Sequence, residues 1–224
     1  MPRSLNITLE DYDEILDALD NEDTNTIIKR FQEFNLEPDS ELLDAPRLGN
    51  NYKEFNIELN TYLDYIIYYN LTNIIDVFID NFNLVITDET LSLCLTLHNH
   101  DTYNYLCNLG YIPELDTFKK AVHLCCSEIV DDILSNDSDL IKFLDDEDIE
   151  YIYNYDINEE TIETVRVLFN YNIEPSIFSE FLSVLKEHSA NIDVNSTNSN
   201  NSNNEDFEDI ILELIDILET NNVK

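Results

Sequence analysis

Thr164-Val165-Arg166-Val167-Leu168-Phe169-Asn170-Tyr171-Asn172-Ile173-Glu174-Pro175 is the stretch that decides the fold. Its apolar residues fall at helical spacing, an asparagine closes it, and a proline three positions later bars continuation. The same ending stands far earlier in the chain. Ile28-Lys29-Arg30-Phe31 lines up with Val165-Arg166-Val167-Leu168, and Phe34-Asn35-Leu36-Glu37-Pro38 with Tyr171 to Pro175. A third copy, Leu106 to Pro113, places Gly110 at the turn. Weaker copies run from Ile75 to Leu84, with Asn83 at the turn, and from Ile129 to Asp137. The turn positions are therefore 35, 83, 110, 137 and 172, with spacings of 48, 27, 27 and 35. The chain holds only two glycines but 29 asparagines, and asparagine enters left-handed backbone more readily than other non-glycine residues.

A second helix precedes each of these. Leu9, Tyr12, Ile15, Leu16 and Leu19 form one apolar face, with Thr8 as N-cap and Glu10 and Asp11 in the first turn. An Asn-Glu-Asp turn leads into the next helix, capped by Asp23 or Thr24. Neither helix could bury its apolar face alone, so the pair reads as a helical hairpin. The first members of later pairs are expected at Leu59–Tyr69, Thr90–Leu97, Phe118–Cys126, Asp148–Tyr155 and Ile177–Lys186. The second members are expected at Thr72–Asn81, Thr102–Asn108, Glu128–Leu134 and Glu160–Asn170. Residues 40–58, with Pro46 and Gly49, read as an insertion within the repeated region 1–188. Residues 189–204, of which 11 are Asn or Ser, read as a flexible linker. Residues 205–224 then form an acidic amphipathic helix. Ile217-Leu218-Glu219-Thr220-Asn221 resembles a second-helix ending, so this helix is expected to cap the array as the partner of Ile177–Lys186.

A two-helix unit repeating near 30 residues marks a solenoid. The chain here resembles a degenerate ankyrin-repeat protein: Thr164 to Asn172 matches that family's outer-helix pattern, with Asn172 in place of the turn glycine. Ile27 to Asn35 and Thr102 to Gly110 match similarly. No copy keeps the family's Thr-Pro-Leu-His opening. The composition is similar to that of ankyrin proteins of large amoeba-infecting DNA viruses. The resemblance implies an all-α solenoid of about six helix pairs, acting as a non-catalytic protein-binding scaffold without a cofactor. A ubiquitin-ligase adaptor, as some viral ankyrin proteins are, is a further function that it suggests.

Composition limits the alternatives. Lys and Arg total 11 against 48 Asp and Glu, a formal charge of −37. Such a charge repels a phosphate backbone, so direct nucleic-acid binding is disfavoured and a basic protein partner is expected. An acidic nucleic-acid mimic that sequesters histones is the alternative. Two glycines cannot build a phosphate-cradling loop. No run of 18 apolar residues occurs, so no membrane span is expected. With no secretory leader and no disulfide-framework spacing, the chain reads as intracellular, in the cytoplasm or nucleus of a host cell, with Cys94, Cys107, Cys125 and Cys126 reduced and buried.

No motif carries catalytic or metal chemistry. His98, His100 and His123 with the cysteines lack the spacing of a closed zinc site. Asp145-Asp146-Glu147-Asp148 lacks the glycine of a calcium loop and reads as an acidic helix start. Acid is clustered: eight of residues 10–23, and thirteen of residues 128–160. Carboxylates at matching positions of successive repeats would form rows. Candidate partner-binding residues are Asp145, Asp146, Glu147 and Asp148 for charge, and Tyr65, Tyr68 and Tyr69, beside Tyr62, as aromatic anchors.

Overall fold

The structure, a computed structural model, describes residues 7–42, 59–154, 157–195, 202–221 and 223. Among them the chain is all-helical. The only extended pairing is an antiparallel bridge between Glu41 and Thr61. Most of the expected 40–58 insertion, with Pro46 and Gly49, lies outside the described residues. The chain divides into two compact units, Met1–Ile112 and Pro113–Lys224, a division inside the span 1–188 that the sequence presents as one array.

The first unit holds α1 (Leu9–Asp20), α2 (Thr24–Phe34), α3 (Tyr62–Tyr68), α4 (Thr72–Phe82), α5 (Asp88–Thr96) and α6 (His100–Asn108). Thr8 and Asp11 close a capping box on α1, and Thr61 and Asp64 repeat it on α3. Helix α1 packs on α2, α3 on α4 and α5 on α6. In addition α2 meets α4 and α3 meets α5. Each helix thus touches its hairpin partner, and α2 and α3 also touch their counterparts in the next hairpin. Phe31 is the hub, its ring centroid 5.0 Å from Tyr62, 4.9 Å from Phe78 and 5.4 Å from Phe82. Burying a side chain of this size contributes roughly 1.5–3 kcal/mol.

The second unit holds α7 (Leu115–His123), α8 (Ser127–Asn136), α9 (Asp146–Asn154), α10 (Glu159–Asn170), α11 (Ser179–Asn195) and α12 (Ser202–Thr220). One layer runs α7, α9, α11 and the other α8, α10, α12, each helix packing on the next in its layer. Helix α12 also packs on α11, through a face on which Ile211, Leu214 and Leu218 are fully buried. Helix α11 runs to Asn195 and α12 starts at Ser202, so both helices enter the stretch 189–204 that composition assigns to a linker. Residues 196–201 lie outside the described ones.

Left-handed closures recur at two kinds of position. Within the first four hairpins, Glu22, Asn70, His98 and Cys125 are left-handed, with φ of 52°, 56°, 54° and 52°. In each, the next residue's N–H returns to a carbonyl five residues back: Asp23 to Ala18 at 2.8 Å, Leu71 to Ile66 at 3.0 Å, Asn99 to Cys94 at 2.9 Å and Cys126 to Ala121 at 2.9 Å. This is a Schellman closure, which satisfies carbonyls at the helix end. It ends α7 at His123, three residues before the expected boundary at Cys126.

The second position is the end of α2, α4, α6 and α10, where Asn35, Asn83, Gly110 and Asn172 are left-handed, with φ of 52°, 53°, 97° and 63°. The N–H groups of Leu36, Tyr111 and Ile173 again return five residues back, to Phe31, Leu106 and Leu168. Nothing lies within 4 Å of where a Cβ on Gly110 would sit, so backbone conformation alone favours glycine there. The Val223 N–H reaches the Leu218 carbonyl at 3.1 Å, and Val223 is buried, so α12 ends in the same hydrogen-bond pattern. Asp137 departs from the series. Its φ is −141°, and its side chain accepts from the Asp139 N–H at 3.1 Å, opening a 3-10 turn, Ser138–Phe143, that the sequence reading did not anticipate.

Candidate functional site

The acidic run 145–148 opens α9, as an acidic helix start should. Its four members separate by environment. Asp145, Asp146 and Glu147 are exposed, whereas Asp148 is only 5% exposed. Asp148 Oδ2 accepts from Lys119 Nζ at 2.6 Å, and Oδ1 lies 2.9 Å from His123 Nε2, both on α7. The carboxylate also accepts from the Asp145 N–H at 3.1 Å, and the Asp145 side chain accepts from the Asp148 N–H at 3.2 Å. Burial works to raise the Asp148 pKa, but these bonds outweigh it and hold the carboxyl below its ordinary range. The Asp148 hydrogen bond raises Lys119. Burial lowers His123 despite Asp148, which keeps the imidazole neutral near pH 7. Asp148 therefore joins α9 to α7 and presents no charge to a partner. Above it, the Tyr151 ring stacks on His123, with centroids 4.4 Å apart.

The tyrosines separate too. Tyr62 is fully buried and Tyr65 is 3% exposed, its hydroxyl donating to Asp20 of the neighbouring hairpin. Both belong to the packing between hairpins rather than to an outer surface. Tyr68 is half-buried, and Tyr69 is 41% exposed, each ring packed on its neighbours in the cluster. An exposed aromatic that the sequence reading did not single out is Tyr151, at 59%. A signal for it existed: it stands four residues after Glu147, on the same face of α9.

Among the described residues, no group of three His, Cys, Asp or Glu is placed to hold a metal. The four cysteines form no disulfide. Cys94 and Cys125 are buried, and burial pushes their thiols up to about 12 and about 11. Cys107 and Cys126 are only half-buried, which corrects the expectation that all four lie inside. No described helix is long and apolar enough to cross a membrane.

Charge is arranged by layer. In the second unit the layer α8, α10, α12 exposes Glu128, Asp131 and Asp132, then Glu159 and Glu163, then Asp209, Glu213 and Asp216. Arg166 crosses it, pairing with Glu163 at 2.6 Å and with Glu213. Other bases are similarly engaged: Arg30 with Glu14 and Glu33, Lys142 with Asp139, and Lys186 with Glu219 at 2.7 Å. These arginines and lysines thus face carboxylates of the same chain, and much of the remaining acid faces solvent. No family model, curated protein or solved structure matches this chain.

Proposed function

We propose that this chain is a non-catalytic protein-binding scaffold, an ankyrin-like array of helical hairpins that engages a basic partner through acidic surfaces. The observation that carries this reading is the outer layer of the second unit. Successive helices α8, α10 and α12 pack side by side and expose carboxylates at each step. Packed hairpins offer such a surface with little ordering cost on binding. Surplus negative charge steers a cationic partner and raises its on-rate, with affinity falling as salt rises. The recurrence of one turn geometry in four hairpins supports the repeat reading, as does the packing of α2 on α4, of α3 on α5, and of α7, α9, α11 and α8, α10, α12 in series.

Affinity capture from cell lysate at low and high salt tests the proposal. Capture of one specific basic partner, held less tightly as salt rises but not lost, supports a scaffold. Broad capture of histones, lost at high salt, favours a nucleic-acid mimic, and recovery of ligase subunits favours an adaptor. Turnover of a substrate by the purified chain would remove the non-catalytic reading.

A further inference from the structure

Tyr151 is 59% exposed, yet its ring is not loose. One face lies on the His123 imidazole, centroids 4.4 Å apart and planes 22° from parallel. His123 is held in turn by Asp148, which Lys119 also grips. The chain of contacts Lys119–Asp148–His123–Tyr151 fixes an aromatic face towards solvent. Glu147 stands one turn before Tyr151 on α9, exposed, with Asp146 beside it. A flat, pre-positioned π face with a carboxylate one turn away is the arrangement that receives a guanidinium. The plane stacks on the ring while the N–H groups pair with the carboxylate. Lysine, a compact point charge, gains less from such a face.

We propose that the Tyr151 face of α9, with Glu147, is an arginine-reading site, and that the partner presents an arginine of a basic segment to it. The assignment rests on the reading that this chain binds a basic protein and narrows it to one side chain. Charge complementarity selects this occupant. Lys119 is turned inward to Asp148, whose carboxylate offsets its charge. The neutral His123 adds no positive charge behind the ring. Of the two α7 bases whose charge acts on His123, Lys119 is paired with Asp148, and Lys120, next along the helix, is the one set against an incoming guanidinium.

Fluorescence anisotropy of the full chain with a labelled peptide of alternating arginine and alanine tests this, with the lysine counterpart as comparison. The arginine peptide should bind about 3- to 10-fold more tightly than the lysine peptide. Tyr151→Leu keeps an apolar side chain over His123 but removes the π face, so it should abolish that preference. Tyr151→Phe should retain it, Glu147→Gln should weaken the arginine peptide, and Lys120→Ala should tighten it. Circular dichroism of each variant verifies folding, and Tyr151→Phe carries the test if Tyr151→Leu unfolds. Equal binding of both peptides by the unaltered chain, or an arginine preference that survives Tyr151→Leu, overturns the arginine site but leaves the acidic scaffold standing. Binding of neither peptide overturns both.

Discussion

Replacing Asn83 by alanine isolates the backbone contribution of the turns. Asn83 has φ 53°, and its side chain is exposed, as are those of Asn35 and Asn172. For an ordinary L-residue the left-handed region costs about 1–2 kcal/mol, and asparagine escapes part of that. Asn83→Ala should therefore destabilise by about 1 kcal/mol, and Asn35→Ala with Asn83→Ala by about 2 kcal/mol, since separate turns add. Asn83→Gly relieves the strain but enlarges the unfolded ensemble, so a net gain of only about 0–0.5 kcal/mol is expected. Asp137 supplies the opposite sign, because its φ is −141° and its carboxylate caps the 3-10 turn. Asp137→Gly should cost about 1–2 kcal/mol. Urea denaturation followed by helical circular dichroism measures all four. Hydrogen exchange assigns each change to its unit. If Asn83→Ala proves neutral, or Asp137→Gly stabilises, the turn assignment fails.

Asp148→Asn should destabilise the second unit by about 2–4 kcal/mol by urea titration, since it weakens one member of a buried cluster. Lys119→Met in a double-mutant cycle should recover part of that loss, and strict additivity would refute the pairing. The same cluster sets a pH dependence. Asp148 and His123 both sit below their ordinary values, so the unfolded chain takes up protons first as pH falls. Stability should decline below about pH 6.5 through His123 and further through the carboxylate range. Lys119 is raised, so its contribution is present at neutral pH and is lost only as strongly alkaline pH is reached. Thermal melts across pH in the unaltered chain and in Asp148→Asn check this, and identical acid profiles would count against it. Tyr65→Phe removes only the hydroxyl donated to Asp20 and should cost about 1–2 kcal/mol in the first unit, with partner binding unchanged. Leu214→Ala, in the fully buried face of α12, should cost about 2–4 kcal/mol, whereas a helix that binds only in trans would show almost none.

Much of this architecture could be read along the chain because its causes are local. Apolar residues at spacings of three and four place each helix. Thr8, Asp23 and Asn158 cap as their side chains dictate. Asn35, Asn83, Gly110 and Asn172 take the left-handed positions that their chemistry favours. Glu22, His98 and Cys125 give no such signal. Glutamate and cysteine resist left-handed backbone more than histidine does, and the hairpin imposes it on all three because both helices must bury their faces and return carbonyls to partners. The acidic run at 145–148 misled for a related reason. Four acids in sequence read as one solvated surface, yet Asp148 lies inside because Lys119 and His123 wait for it on α7.

By itself, then, the sequence determined helix, period, caps and excess charge, all of which depend on residues within a few positions of one another. Only the tertiary structure decided which acids face solvent and which tyrosines anchor the packing. It alone placed α12 against α10 and α11, and Tyr151 over His123. Those outcomes depend on pairs such as Lys119 with Asp148, or Tyr65 with Asp20, joined by burial across hairpins, and no local pattern encodes a partner so distant.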